Sequence, residues 1–383
     1  MIEFFIAKRH IIERKFQSIV SILGIAIALT VFVVSLAISN GLKNNMLNSI
    51  LTLSPHISVG IYQDYQQEYI DISKKIDKYN FKDVNYRIES QGLIKVNGIS
   101  KSTLIIGTNL EKLNLNVVEG SIEKDNLTSV LVGNEFIKNT GTRVGDEITV
   151  LTSEMREIKA VISGVFKTGF YNYDSDLLLF PLETLQLLEE RGEVASTIAI
   201  LVDNPNKTDN LDLLVRDINE SYGDKVYARS WNMDNKSLLS AINFEKFVLV
   251  SILSMIILIA SFAISVILNM IVREKITDIG ILKAMGFADK NILKIFLFEG
   301  LIIGITGMLF SLLFSPILII LLKLVFKYYI TSTYYLETLP ISVSLIEMLV
   351  IYFISFVLIL FSTIMPSIKA SKMNTVEAIK YNN

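Results

Sequence analysis

The sequence predicts a membrane α-helical protein with four transmembrane helices and a large α+β domain outside the cytoplasm, between the first and second crossings. Three observations predict it. Of the 383 residues 51% are hydrophobic and yet 19% are charged, so apolar and polar residues must be segregated along the chain. Four stretches are long and apolar enough to cross a hydrocarbon core of roughly 30 Å, which takes about 20 helical residues. Basic residues crowd the flanks of those stretches unequally.

Residues 1–15 read as a cytoplasmic amphipathic helix. Ile2, Phe5, Ile6 and Ile12 recur at helical spacing among Lys8, Arg9, Arg14 and Lys15, a pattern that suits a helix lying along the inner membrane surface. The same residues also fit a plain extension of the first span. That span, 16–39, is uncharged from Phe16 to Ile38. It begins too deep in the chain, and lacks the small-residue cleavage pattern, for a signal peptide, so it reads as a permanent anchor. The other spans are 247–272, which is uncharged, 295–322, with Glu299 its one charge, and 343–364, with Glu347 near its outer end.

Orientation follows from the basic residues. Lys8, Arg9, Arg14 and Lys15 precede the first span; Arg273, Lys275, Lys283, Lys290 and Lys294 lie between the second and third; Lys369, Lys372 and Lys380 follow the fourth. The loop between the third and fourth holds only Lys323 and Lys327. Both termini and the 273–294 loop are therefore expected in the cytoplasm, and residues 40–243 outside.

Roughly 200 residues bury a core of their own. Apolar, β-rich runs fall at 56–61, 92–96, 103–107, 130–132, 147–151, 158–166, 177–180, 197–202 and 226–228, and helical patterns at 69–79, 134–139, 182–190 and 210–221. Val144-Gly145-Asp146 and Asp203-Asn204-Pro205 carry turn chemistry. An α+β domain standing on two helices is expected, with one or two subdomains.

Several chemistries are excluded. A net charge of −2 argues against nucleic acid. There is no cysteine, hence no disulfide and no thiolate site. No glycine-rich run has the Gly-Lys step of a phosphate-binding loop. Two histidines, His10 and His56, are expected on opposite sides of the membrane, so no triad or two-histidine metal site can be built from one chain. His56 reads as structural, and Asp174 and Asp176 as turn or strand-end residues. No catalytic residues, no metal and no cofactor are expected.

The loop after the second span is the most informative segment. Arg273-Glu274-Lys275-Ile276-Thr277-Asp278-Ile279-Gly280-Ile281-Leu282-Lys283-Ala284-Met285-Gly286-Phe287 is short and amphipathic. Asp278 suits a helix start and Gly286 a helix stop. Ile279, Leu282, Met285 and Phe287 are expected to present apolar surface, either to a groove on a partner or to lipid headgroups.

At this loop the sequence resembles the FtsX-like, MacB-type permeases of ABC transporters, and within them the lipoprotein-releasing permeases of the LolC/LolE kind. The resemblance runs through Arg273–Gly286 and on through Asn291–Gly300. It includes Ile22–Ile38 with Asn40-Gly41-Leu42 and Ser54-Pro55-His56-Ile57, Trp231 ahead of Phe244-Glu245-Lys246, Tyr335–Pro340, Pro366–Lys372 and Val376–Tyr381. Thr375 stands where the family commonly has proline. The resemblance implies a MacB-like periplasmic core at 40–243 and an FtsX-like permease domain at 244–383. It implies a non-catalytic bacterial cytoplasmic-membrane subunit, paired with a second permease subunit and with a cytoplasmic ATPase that binds the ATP. Residues 274–287 become the coupling helix, with Glu274, Asp278, Ile279, Leu282, Lys283, Met285 and Gly286 at the contact and Leu282 as its anchor. Nucleotide binding then moves the outside domain, by mechanotransmission, to draw a lipoprotein from the membrane. Met46, Ile50 and Phe247, on the first two stalks, are the expected cargo contacts. One departure stands out: the connection 151–157 is too short for the loop that catches a periplasmic carrier in LolC-type subunits. A signalling subunit controlling a cell-wall hydrolase and a MacB-like efflux permease are the alternatives.

Overall fold

The computed structural model describes residues 2–79, 81–122, 128–152, 156–188, 192–205, 207–329 and 338–373. The chain divides into two units: residues 1–43 with 242–383 make the membrane unit, and 44–241 the outer unit. It opens with α1 (Ile2–Glu13), breaks at Arg14, and continues as α2 (Lys15–Leu51). The helix therefore runs 12 residues past the expected end of the first span at 39.

The outer unit is built on a ten-stranded sheet. Its strands are β1 (Ile57–Ile61), β2 (Asp83–Val96), β3 (Ile99–Thr108), β4 (Val117–Gly120), β5 (Ser129–Gly133), β6 (Glu147–Thr152), β7 (Glu157–Phe166), β8 (Leu177–Pro181), β9 (Thr197–Leu201) and β10 (Val226–Ser230). Its helices are α3 (Tyr69–Ile76), α4 (Asn134–Thr140), α5 (Tyr171–Asp176), α6 (Leu182–Leu188), α7 (Thr208–Tyr222) and α8 (Trp231–Asp234). The order is β10-β1-β9-β2-β3-β8-β5-β7-β4, with β6 held between β2 and β7. Strands β3 and β8, and β5 and β7, run parallel; the other pairs are antiparallel. β5 and β8 are buried at every position, as central strands covered on both faces must be. β10 alternates strictly and shows one face to solvent.

The sheet is continuous, but its core is not. One apolar cluster joins Ile94, Ile105, Val150, Ile162 and Phe180 under α4 and α6; another joins Val59, Ile72, Ile200, Val215 and Trp231 around α3 and α7. The 14-residue β2 links them, pairing with β9 through 83–87 and with β3 through 87–96. A third cluster joins Leu53, Ile106, Leu131, Phe166 and Leu179, the last four alternating along their strands with residues of the first, so three packed clusters share one sheet. The run expected at 92–96 covers only the C-terminal part of β2, although Val84, Tyr86 and Ile88 alternate with Asn85, Arg87 and Glu89 before it as a half-buried strand does. It misses β4, whose residues are mostly exposed. The connection between β6 and β7 includes residues 153–155, which lie outside the described residues, as do Glu190, Tyr335–Glu337 and the terminal Thr375 to Tyr381.

The membrane unit adds α9 (Lys236–Glu274), α10 (Ile276–Ala284), α11 (Asp289–Tyr329) and α12 (Leu345–Ser371). Among the described residues four helices are long and apolar enough to cross a membrane: α2, α9, α11 and α12. Leu29, Ile257, Leu268, Ile303 and Ile359 form their shared core. Phe262, Val266, Ile317, Phe353 and Phe361 stay exposed, as suits helices whose solvent is lipid. α11 and α12 pack closely because Gly300 and Gly304 put backbone against Thr363 and Ile359; a Cβ on Gly304 would lie 2.6 Å from Ile359 Cγ2.

Candidate functional site

Polar side chains gather at three places in the membrane unit. The first surrounds α10. Its Ile276, Ile279 and Gly280 are buried, and Leu282 and Phe287 are half-buried against the core. Asp278, Ile281 and Met285 form the opposite, exposed stripe, at spacings of three and four that share one helix face. Ile281 is 50% and Met285 73% exposed. The expected surface is corrected accordingly: Ile279 and Leu282 turn inward, and Ile281, absent from the expected set, turns outward. The physical reason is rotation at about 100° per residue, which puts 276, 279 and 283 on the face that the membrane unit covers.

Gly286 ends this helix with φ of +94°, a left-handed conformation that suits glycine. Its N–H donates to the Lys283 carbonyl at 3.0 Å, and that of Phe287 to the Leu282 carbonyl at 3.1 Å. Charged groups brace the helix from several sides. Lys283 Nζ reaches the Ser371 and Met373 carbonyls at 2.6 and 2.8 Å and the Asp289 carboxylate at 2.8 Å. Lys275 Nζ lies 2.9 Å from Asp278 and 3.1 Å from Glu13 of α1, and Arg14 pairs with Glu274. The hydrogen bond from Lys275 holds the Glu13 carboxyl below the usual carboxylate range. Asp278, and Glu13 after it, raise the Lys275 ammonium above its ordinary value. So Glu274, Asp278 and Lys283 serve this helix through ion pairs that fix its position, whatever else they touch.

The second place joins three long helices. Lys246 Nζ of α9 donates to Glu347 Oε1 of α12 at 2.6 Å and to Asn40 Oδ1 of α2 at 2.9 Å, and Asn40 Nδ2 donates to Glu347 Oε2 at 2.6 Å. Beside this clasp opens an apolar cavity of about 270 Å³, lined by Phe32, Leu36, Val250, Ile257, Val350 and Ile354. Of the expected cargo contacts, Phe247 is 68% exposed next to Lys246, Met46 is half-buried, and Ile50 is only 2% exposed, which leaves it no contact surface. Met46 and Ile50 belong to the outer unit and Phe247 to the membrane unit.

The third place is buried. His10 Nδ1 of α1 lies 3.6 Å from Glu299 Oε2 of α11, just beyond hydrogen-bond reach, and both side chains are almost wholly enclosed. In the sequence Glu299 is a lone charge in an apolar run, and nothing in the spacing shows that His10, 289 positions earlier, faces it. Among the described residues no three His, Asp or Glu side chains cluster as a metal site would need.

Four helices long and apolar enough to cross a membrane, a short braced helix between two of them, and a large α+β unit describe a polytopic membrane protein. Residues 18–218 match the MacB-like periplasmic core domain, and residues 250–375 match the FtsX-like permease C-terminal domain. The chain belongs to that family, the permeases that join a MacB-like periplasmic core to an FtsX-like C-terminal domain. It is 26% identical over 396 residues to the lipoprotein-releasing system transmembrane protein LolC of Neisseria meningitidis, covering 96% of this chain and 94% of that one. Against the corresponding LolE of Haemophilus influenzae it is 24% identical over 402 residues, covering 94% and 93%. Among solved structures, the periplasmic region of MacB from Actinobacillus actinomycetemcomitans matches 50% of this chain and 97% of its own, with 15% identity and a TM-score of 0.34.

Proposed function

We propose that the chain is the permease subunit of an ABC transporter of the lipoprotein-releasing kind. It draws lipid-modified proteins from the outer leaflet of a bacterial cytoplasmic membrane, with ATP bound and hydrolysed by a separate cytoplasmic subunit. The observation that carries this reading is the α10 stripe. A short helix fixed by ion pairs on its own side, yet exposing Ile281 and Met285, is built to hand an apolar anchor to a partner. Near-full-length similarity to LolC and LolE supports the cargo class. The twelve basic residues flanking the spans on one side, against Lys323 and Lys327 on the other, support a cytoplasmic α10 and cytoplasmic termini. In this reading a second permease subunit completes the transporter, and the apolar cavity beside Lys246 and Glu347 takes acyl chains of the cargo or of membrane lipid. Mechanotransmission requires no polar path through the spans, and the spans carry almost no charge.

Met285→Asp and Ile281→Asp test the coupling role. A carboxylate forced into an apolar groove costs several kcal/mol unless paired. Each variant is expected to weaken recovery of the co-expressed ATPase at least about tenfold, near 1.4 kcal/mol. Lys290→Asp, exposed beyond the helix, is expected to leave recovery unchanged. Leu282→Asp is expected to lower the yield of folded protein instead, because Leu282 packs on the permease's own core. Equal ATPase recovery from Met285→Asp, Ile281→Asp and Lys290→Asp overturns the coupling role. For the cargo, release of a lipoprotein from proteoliposomes by the ATPase complex, dependent on ATP, is the expected result.

A further inference from the structure

The outer unit contains a second cavity, of about 230 Å³, that has no part in the reading above. At about 30 Å³ per water its volume equals roughly seven or eight waters. It lies among residues 51–56, the start of β2 and the end of β9, and its walls include Leu51, Leu53, Leu113 and Leu201. Its polar lining is unbalanced. Lys82, Arg87 and Lys112 face a single acid, Asp83. Lys112 spends its charge on that acid at 3.0 Å and on the Val84 carbonyl at 2.6 Å. Lys82 and Arg87 have no ion pair among the described residues.

Arg87 is the decisive group. Its side chain is enclosed, at 5% exposure, and among the described residues its one hydrogen bond is from Nη2 to the Leu53 carbonyl at 2.9 Å. Its Nε has no partner among the described residues. Glu89, two residues along the same strand, is near enough to be felt but forms no ion pair with it. An enclosed guanidinium whose nearest acid acts on it only at a distance, with no ion pair, is poorly compensated, which costs stability unless a further group meets it. His56 adds a neutral donor. Its Nδ1 accepts the Val202 N–H at 2.9 Å, which leaves the ring proton on Nε2, and burial holds its pKa below the ordinary histidine value. Thus the charged lining holds three cations, Lys82, Arg87 and Lys112, against one acid, and is short of two negative charges.

We infer that this cavity binds a phosphate group, its oxygens held by the Arg87 guanidinium and the Lys82 ammonium. A phosphate fits better than a carboxylate, since it meets a guanidinium with two parallel hydrogen bonds and has further oxygens and charge left for Lys82. A phospholipid headgroup and a free phosphate present the same chemistry, and the test separates them.

The full chain, purified in an uncharged detergent, is titrated by calorimetry with inorganic phosphate and with dihexanoyl phosphatidic acid, using dihexanoylglycerol as the phosphate-free control. At least one phosphate probe is expected to bind in the millimolar range or tighter, more weakly as salt rises, and the control not at all. Tighter binding of phosphatidic acid assigns the site to a headgroup; equal or tighter binding of inorganic phosphate assigns it to a free phosphate. Lys82→Gln, at an exposed position where folding is not at risk, is expected to weaken binding about tenfold. Arg87→Gln is expected to abolish it, and Arg87→Lys to retain part. Absence of binding by both probes, or equal binding by wild type and Lys82→Gln, overturns the inference. ATPase recovery is expected to be the same for all of these variants that fold, so failure here is distinct from failure of the coupling role.

Discussion

His10 and Glu299 illustrate what a single pair of residues decides in this molecule. Glu299 is fully enclosed and, among the described residues, neither of its oxygens has a hydrogen bond; the His10 ring, 3.6 Å away, is the one basic group within 4 Å of it. Removing one member of a buried pair leaves the other uncompensated and typically costs 3–5 kcal/mol, whereas replacing both is far milder. His10→Ala is therefore expected to lower the temperature at which the detergent-solubilised protein aggregates. The double variant His10→Ala with Glu299→Gln is expected to regain part of that loss, read as the coupling term of a double-mutant cycle. Additive losses would show that the pair is not coupled. The Asn40–Lys246–Glu347 clasp differs, because each of its members keeps a hydrogen bond when one partner goes.

At the scale of elements, the contact of α11 with α12 depends on small residues. Gly304 has Ile359 directly over its Cα, whereas Gly24 in α2 has open space where a Cβ would go. The same substitution should therefore act in opposite directions. Gly304→Ala puts a methyl group where Ile359 already lies, and overpacking of this kind costs about 1–3 kcal/mol. Gly24→Ala meets nothing and gains the helix preference of alanine over glycine, about 0.5–1 kcal/mol. Recovery of monodisperse protein after a heating series is expected to fall for the first and to hold or rise for the second. A fall for both would mean that Gly24 meets something beyond this single chain. α10 is set by a similar competition: its buried face was taken by the membrane unit, leaving Asp278, Ile281 and Met285 outward.

For the whole molecule, orientation is the property on which the functional reading turns. A reporter active only outside the cytoplasm, fused after Lys236, is expected to be active, and one fused at Ala288 inactive. The reverse pattern would put α10 out of reach of any cytoplasmic ATPase and remove the proposed function with it. The family match, at 18–218 and 250–375, spans both units.

Much of this protein was legible in the residues alone, because its strongest signals are local. Uninterrupted apolar runs longer than about 20 residues can be satisfied only by lipid or by burial, so the four long helices followed from counting. Apolar, β-rich runs marked nine of the ten strands at least in part, continuous where a strand such as β5 or β8 is covered on both faces and alternating where one face is open, as in β10. The segment 273–287 carried the family resemblance in its own sequence. What only the tertiary structure decided are the facts that depend on residues far apart in the chain. Which face of α10 is free depends on the packing around it, and periodicity gives a stripe without saying what covers it. That Arg87 lies enclosed against the Leu53 carbonyl with no ion pair among the described residues, and that His10 meets Glu299, follow from strand pairing and helix contact across long separations. Those contacts carry no local pattern, because an ion pair or a cavity wall asks nothing of the residues next to it in sequence.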